Sequence, residues 1–349
     1  MIKSILINLI FSVSIFAQTN LKYSETITKS ELEKHIYILT SDSLEGRETG
    51  KPGQKKAANY IANHFEAIGI PPSVTKKNKY TKRNETSYFQ KFRVKSNRHL
   101  CKCDDCDVDF VKGLLGVKKW VEGENILGYI EGSDLKEEII IITAHYDHLG
   151  KHDTLIFPGA DDNGSGTAAI LEIAEAFMLA KKEGNGPRRS VLIMPVSGEE
   201  KGLLGSKYYT KKPIFPLENT VANLNVDMIG RIDDWHKDGN YIYLIGSDML
   251  SQELHNISEE VNQKYIKLEL DYTFNQEDDP NRYYYRSDHY NFAKNKIPVI
   301  FYFNGVHEDY HKMTDTIEKI DFEKTKKVTQ LIFLTAWELA NRDERPKLN

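Results

Sequence analysis

The sequence predicts an α/β fold, with a mainly parallel, doubly wound mixed sheet and helices on both of its faces. Beyond Asn125, short apolar runs alternate with segments of helical periodicity. Runs such as IIIITA and SVLIMPV are apolar along their whole length, not at every second position. This pattern is typical of strands buried on both sides, because the helices that connect parallel strands cover the two faces of a sheet.

Each element is predicted from its own periodicity. Strands are expected in the apolar runs ENILGYIEG, EEIIIITAHYD, SVLIMPVS, TVANLNVDMIG, YIYLIGS and PVIFYF. Helices are expected where apolar residues recur every three or four positions, at 30–39, 54–68, 167–179, 202–211, 250–265, from about 290, and at 322–338. Ser30 is expected to cap the first helix and Gly69 to end the second. Ligands of such sheets bind beyond the carboxyl ends of the strands, so reactive residues are sought there.

The 349 residues are predicted to form one domain over 18–349, with an inserted segment at about 73–123. A hydrophobic content of 40% with 28% charged residues excludes a disordered chain and a membrane bundle. The net charge of -4 gives no indication of a nucleic-acid partner. A basic stretch at 74–102 has no periodic organisation and is interpreted as a solvated loop with edge strands.

Residues 1–17 have the pattern of a secretory signal peptide. Lys3 precedes an apolar run without acidic residues, and a small residue, Ala17, ends it. The run is too short to span a bilayer as a mature helix, and no cysteine follows it to carry a lipid anchor. We therefore expect export to the periplasm or the medium, with no stable membrane insertion after cleavage. A first buried helix or strand is the alternative.

Three cysteines, Cys101, Cys103 and Cys106, lie together in HLCKCDDCD. In an oxidising compartment two of them can form a disulfide and leave the third unpaired. We therefore interpret the group as a local disulfide or as inert thiols. A zinc knuckle that includes His99 is the alternative, although four ligands within eight residues leave little room for a tetrahedral arrangement.

Chemically reactive side chains occur where the predicted strands end. His145 and Asp147 follow IIIITA, and their spacing places both on one side of an extended chain, so that Asp147 can orient the imidazole. Adjacent Glu199 and Glu200 follow SVLIMPVS, and Asp227 ends the next strand. A metal-assisted hydrolysis needs one carboxylate as a ligand and a separate one as general base, which a Glu-Glu pair can supply.

Two further segments complete the pattern. The glycine-rich turn GADDNGSG carries Asp161 and Asp162 into a helix, and VHEDYHKMTDT places His307 and His311 after PVIFYF. Spacing in the turn also fits part of an EF-hand calcium loop, but the required preceding helix is replaced by Phe157, Pro158 and Gly159. Oxygen and nitrogen donors without thiolate fit zinc, with manganese or cobalt as alternatives by ligand type.

The order His-x-Asp, Asp-Asp-Asn-Gly-Ser-Gly, Glu-Glu, Asp-Met and His-x-x-x-Asp-Thr resembles the co-catalytic zinc aminopeptidases. Relatives of that family include aminopeptidase Y, secreted bacterial leucyl aminopeptidases, glutamate carboxypeptidase and, more distantly, glutaminyl cyclase. The resemblance covers about Ser30 to Arg342, and SLEGRETGKPG and YRSDHYNFAK are similar to family segments. It implies an α/β/α sandwich that binds two zinc ions (Zn2+) per chain.

The resemblance also implies a role for each site residue. His145 and Asp227 would bind one zinc, Glu200 and His311 the other, and Asp162 would bridge them. Glu199 would be the general base, Asp147 would orient His145, and Asp315 would support the loop that carries His311. A cis peptide bond between Asp162 and Asn163 is implied as well.

The expected reaction is hydrolysis of the peptide bond next to a free amino terminus, by a water that two metals activate. Three alternatives stay open. A carboxypeptidase or dipeptidase would use the same metal centre, and a glutaminyl cyclase would bind one zinc and close a ring on an N-terminal Gln. A non-catalytic binding module would be expected to lack some of the ligands, and none is missing.

Overall fold

The computed structural model describes residues 20–77, 80–96, 119–276 and 278–349. The predicted signal peptide and the three cysteines lie outside these residues. Within the described ranges, no helix combines the length and the apolar character that crossing a membrane requires.

The described chain forms thirteen strands. They are β1 (Val74–Lys77), β2 (Asn84–Ser87), β3 (Phe89–Ser96), β4 (Lys119–Ile126), β5 (Gly128–Ile130), β6 (Leu135–His145), β7 (Gly150–His152), β8 (Leu155–Phe157), β9 (Arg189–Val196), β10 (Thr220–Val226), β11 (Tyr241–Ile245), β12 (Glu269–Asp271) and β13 (Val299–Phe303).

Seven α-helices lie entirely within the described residues. They are α1 (Lys29–Leu39), α2 (Pro52–Ala67), α3 (Gly166–Lys182), α4 (Leu204–Lys211), α5 (Gln252–Val261), α6 (His289–Ala293) and α7 (Phe322–Asn341). Thr28, not Ser30, caps α1, because its hydroxyl accepts the Glu31 amide hydrogen.

The central sheet confirms the predicted fold class. Its seven strands lie in the order β12-β11-β13-β10-β6-β9-β5. The four central strands β13, β10, β6 and β9 are mutually parallel, whereas β5 and the β11-β12 pair run antiparallel to them. All seven residues of β10 and all eight of β9 are buried, as expected for strands covered on both faces.

Alternate residues of β6 belong to the two sides of the sheet. Ile140 and Ile142 pack into the larger core with α1, α2, α3, α5 and α7. Ile139 and Ile141 pack into the core on the opposite face, where α4 and α6 contribute Tyr209 and Phe292. The helices therefore form one layer on each side, which leaves the strand ends free to carry a site.

The run ENILGYIEG was predicted as one strand, and this prediction is wrong. Its first residues belong to β4, which pairs with β3 in a separate antiparallel sheet, and the chain then enters the central sheet as β5. The change occurs at Leu127, whose amide donates to the Tyr88 carbonyl. An apolar run does not distinguish a strand that stays in one sheet from one that passes between two. The limits of the domain and of its inserted segment stay predictions.

Arg47, in SLEGRETGKPG, joins three parts of the fold. Its side chain is fully buried and donates to the carbonyls of Leu39, Tyr146, Pro158 and Gly159 at 2.5–2.9 Å. These acceptors lie at the end of α1, just past β6 and at the entrance to GADDNGSG. Burial lowers the pKa of Arg47 to about 10, so the guanidinium keeps its charge at neutral pH.

We predict that Arg47→Met lowers the free energy of unfolding by at least about 3 kcal/mol, because several buried carbonyls lose their donor. Urea unfolding followed by circular dichroism measures this loss. Arg93→Met is the matched control, since Arg93 is exposed and its loss should cost less than about 1 kcal/mol. Equal effects of the two substitutions would contradict the role given to Arg47.

Candidate metal centre

The carboxyl ends of the four central parallel strands bring the predicted site residues together. His145 ends β6, Asp227 follows β10, and Glu199 and Glu200 follow β9. His311 lies in the loop after β13. Since parallel strands end at the same edge of the sheet, side chains distant in sequence converge there.

One group of possible metal ligands consists of His145, Asp162 and Asp227. The His145 Nε2 atom lies 3.2 Å from Asp162 Oδ1 and 3.2 Å from Asp227 Oδ1. All three side chains are largely buried. This is the set predicted for one of the two metals.

Asp162 also faces the second predicted group through its other oxygen. The His311 Nε2 atom lies 3.1 Å from Asp162 Oδ2 and 3.4 Å from Glu200 Oε1. Asp162 therefore presents one carboxylate oxygen to each group. This is the arrangement that a bridging ligand needs.

Sequence reasoning missed His148. Its Nδ1 atom lies 3.1 Å from Glu200 Oε1 and 3.9 Å from Asp162 Oδ2, and its side chain is fully buried. His148 can also complete a ligand group with Asp162 and Glu200, so two imidazoles face the same pair of carboxylates. The only signal in the sequence was a second histidine in HYDHLG, three positions after His145.

The donor set and its spacing fit zinc. Zinc binds imidazole nitrogen and carboxylate oxygen at about 2.0–2.2 Å in a tetrahedral arrangement, which places neighbouring ligand atoms about 3.4 Å apart. The four distances between donor atoms of the predicted ligands are 3.1–3.4 Å. The residues present could therefore hold a zinc ion in each group without rearrangement of the backbone.

The GADDNGSG turn reaches the site through backbone contacts. The Asp162–Asn163 peptide bond is cis, as the resemblance implied. Asn163 donates from Nδ2 to the Val226 carbonyl, and its Oδ1 accepts the Gly166 amide hydrogen. A Cβ atom at Gly166 would lie only 2.6 Å from the Val226 carbonyl oxygen. The glycine thus allows α3 to begin against the end of β10.

Asp315 holds this turn from the opposite side. Its carboxylate accepts the amide hydrogens of Asp161 and Asp162 at 3.1 Å. Asp161 itself faces away from the ligand groups, because its Oδ1 accepts the Gly230 amide and its Oδ2 lies 3.2 Å from His307 Nε2. His307 is itself buried.

Asp147 lies beside His145 but contacts it differently from the prediction. The His145 Nδ1 atom is 3.0 Å from the main-chain oxygen of Asp147 and 3.9 Å from its carboxylate. The carboxylate instead accepts the Thr49 hydroxyl and the Glu199 amide. Asp147 can therefore orient the imidazole through its main-chain oxygen. Its carboxylate instead fixes the backbone of Glu199.

Asp227 is held by a chain of buried polar groups. The Ser287 hydroxyl donates to Asp227 Oδ2 at 2.6 Å, and Asn225 donates to Ser287. Asn225 in turn accepts the Thr143 hydroxyl. This network fixes one Asp227 oxygen and leaves the other facing His145. Such outer partners set the orientation of a metal ligand.

The electrostatics of the site are dominated by crowded carboxylates. Burial raises the pKa of Glu199 well above its usual range, and the nearby Glu200 and Asp227 add to this. Burial would lower the pKa of His145, yet Asp227 and Asp162 hold it well above the usual value. Burial likewise opposes ionisation of Glu200, but His148 and His311 lower its pKa to about 2. The site therefore favours bound positive charge.

A cavity opens beside the two ligand groups. Its polar lining consists of His145, Asp162, Glu199, Asp227 and His311. Most of the remaining lining is apolar or aromatic and consists of Met228, Tyr283, Phe301, Phe303, Val306 and Tyr310. Arg286 and Ser287 complete it. A ligand in this cavity would therefore contact both ionisable and apolar side chains.

The chain is similar to curated peptidases along roughly 60% of its length. It is 33% identical over 211 residues to a probable leucine aminopeptidase of Trichophyton verrucosum, covering 58% of this chain and 55% of that protein. It is 27% identical over 232 residues to aminopeptidase YwaD of Bacillus subtilis, covering 64% and 46% respectively. The chain thus spans about half the length of the curated relatives it matches.

Solved structures share the fold at low sequence identity. The Legionella pneumophila LapA aminopeptidase aligns with a TM-score of 0.69 and 21% identity, over 94% of this chain and 75% of that one. BSAP, a zinc aminopeptidase from Bacillus subtilis, aligns with a TM-score of 0.64 and 17% identity, over 92% and 98%. A glutaminyl cyclase from Bacteroides thetaiotaomicron aligns with a TM-score of 0.62 and 17% identity, over 91% and 99%.

The sandwich of helices around a mixed sheet is thus the fold that these solved aminopeptidases also have. Residues 125–336, more than half of the chain, match the model of peptidase family M28. The chain belongs to this family, which confirms the resemblance stated from its motifs.

We predict that Asp315→Asn lowers the affinity for zinc by about 10–100-fold, the effect typical of residues that orient metal ligands. The substitution replaces one acceptor oxygen with an amide donor, so the hydrogen bonds that Asp315 accepts from the Asp161 and Asp162 amides are weakened. Titration with zinc in competition with a chromophoric chelator measures the change. Asp153→Asn is the matched control, because Asp153 is exposed. Unchanged affinity in Asp315→Asn would contradict its positioning role.

Proposed function

We propose that this protein is an exported aminopeptidase that binds two zinc ions and removes N-terminal residues from peptides. The observation that carries this proposal is that Asp162 faces two groups of possible ligands through different oxygens, with Glu199 beside them. A two-metal centre needs such a shared carboxylate. Export rests on the signal pattern of residues 1–17.

The ligands follow from the two groups. His145 and Asp227 would hold one zinc, Glu200 and His311 would hold the other, and Asp162 would bridge them. His148, 3.1 Å from Glu200, would hold that carboxylate in position. Zinc ions bound there would supply Lewis-acid chemistry, which acidifies water and polarises the scissile carbonyl.

Glu199 is the general base in this proposal. It lines the cavity next to both ligand groups, and its backbone is fixed by the Asp147 carboxylate. Burial raises its pKa, whereas bound cations would act in the opposite direction and keep it ionised. Glu199 then accepts a proton from the attacking water and donates it to the leaving amine.

The cavity supports a preference for an apolar N-terminal residue. Aromatic and aliphatic side chains line the same cavity as Glu199, and Phe301, Phe303 and Met228 are buried there. The relatives named leucine aminopeptidases support the same preference.

A carboxypeptidase or dipeptidase is the second candidate, and Arg286 favours it. This side chain lines the cavity, and a guanidinium is well suited to bind a substrate carboxylate. A glutaminyl cyclase shares the fold, but a one-zinc reaction would leave the second ligand group without a role. Substrate tests separate these activities.

We predict that Glu199→Gln retains its zinc and loses turnover by about 10²–10⁴-fold, because the amide cannot accept the proton of water. The metal content of the purified variant and its kcat on a leucine p-nitroanilide measure the two effects. Glu218→Gln serves as the matched control, since Glu218 is exposed. Turnover near the wild-type rate in Glu199→Gln would show that another residue is the base.

A panel of substrates tests the class of reaction. We expect hydrolysis of the p-nitroanilides of leucine and phenylalanine to exceed that of aspartate and lysine derivatives, since the cavity wall is apolar. Acetylation of the substrate amino group should abolish cleavage, and amidation of a peptide carboxyl terminus should not. The reverse result would favour the carboxypeptidase. Ring closure of glutaminyl peptides without hydrolysis would favour the cyclase.

A further inference from the structure

A second cluster of histidines and carboxylates lies where α1, α2 and α3 pack together. His35 comes from α1, His64 from α2, and Glu172 and Glu175 from α3. The cluster shares no residue with the candidate metal centre. Glu172 and Glu175 lie three positions apart, a spacing that places both side chains on one side of their helix.

Three members of this cluster have donor atoms close enough together to hold one ion. One atom each of His35, His64 and Glu175 lies within 4.8 Å of the others. The His35 Nε2 atom is 3.1 Å from Glu172 Oε1, and His64 Nε2 is 3.3 Å from Glu175 Oε1. The second of these separations matches neighbouring ligand atoms of a tetrahedral zinc site, about 3.4 Å apart.

Two atoms of the cluster are buried without a hydrogen bond among the described residues. They are Glu172 Oε1 and His64 Nε2. Glu172 is only 2% exposed, and its Oε1 approaches His35 without the alignment of a hydrogen bond. A buried carboxylate oxygen without a partner costs several kcal/mol as a rule, so a ligand of positive charge is expected beside it.

A hydrogen bond at Nδ1 orients the His35 ring. The His35 Nδ1 atom lies 2.6 Å from the Tyr60 hydroxyl. When Nδ1 donates its hydrogen to this hydroxyl, Nε2 presents its lone pair to the cluster. Histidines that bind metals are commonly oriented through a hydrogen bond of this kind.

We propose that His35, His64 and Glu175 bind a zinc ion, with the Glu172 carboxylate beside His35 as an outer partner, and that this ion joins α1 and α2 to α3. Two nitrogen donors and one oxygen donor without thiolate fit zinc, and a water molecule can take the fourth position. Because the ligands come from three helices, the ion is structural, and it stabilises the layer that covers one face of the sheet.

Metal content tests the proposal on the whole chain. Wild-type protein and the variants Glu175→Gln and His64→Gln are loaded with zinc, dialysed and analysed by mass spectrometry. We expect each variant to contain one zinc less per chain than the wild type. Glu66→Gln and His152→Gln are the matched controls, both at exposed positions, and they should keep the wild-type content. Equal zinc in the wild type and both variants would overturn the proposal.

Thermal unfolding gives an independent test that does not depend on activity. In an Asp162→Asn background, which impairs the candidate metal centre, added zinc should still raise the unfolding temperature, because a ligand of the folded state stabilises it. Adding Glu175→Gln to this background should make the zinc-dependent shift smaller than in Asp162→Asn alone. The Glu175 side chain is 37% exposed, so this variant is expected to fold. Equal zinc-dependent shifts with and without Glu175→Gln would contradict the site, whatever the substrate tests give.

Discussion

Negative charge buried at the carboxyl ends of four parallel strands is the constraint on which the rest of this structure depends. Asp162, Glu199, Glu200 and Asp227 converge beside one cavity. Carboxylates taken out of water destabilise a fold unless positive charge or hydrogen bonds offset them. Histidines alone offset this charge only by holding protons, as the raised pKa of His145 indicates. Divalent cations offset it without protons, and therefore fit the site better.

The surrounding fold keeps these carboxylates in place through neutral donors. Backbone amides of the turn reach Asp315, and the Ser287 hydroxyl reaches Asp227. Arg47, fully buried, uses its donors on backbone carbonyls near the turn and not on the ligands. The supporting residues thus orient the ligands while leaving their charge available to a metal.

The two histidine–carboxylate clusters differ in what surrounds them. The candidate metal centre opens into a cavity lined by polar and apolar side chains, which suits the water and the peptide of the proposed reaction. The second cluster lies between three helices and joins them. Similar donor sets in different surroundings can therefore serve chemistry in one place and stability in the other.

The sequence by itself determined the fold class and the motifs of the site. Fully apolar runs such as IIIITA specify strands covered on both faces. His145 and Asp227 come at the ends of such strands, and Glu200 lies in the loop after one. The sequence did not reveal His148, because one more histidine in a loop carries no periodic signal. The main-chain contact of Asp147 and the passage of the chain between two sheets at Leu127 were equally hidden. Only the tertiary structure decided these features, because they depend on which strand ends and helices become neighbours in space. A local sequence pattern does not encode the distance between residues that are far apart in the chain.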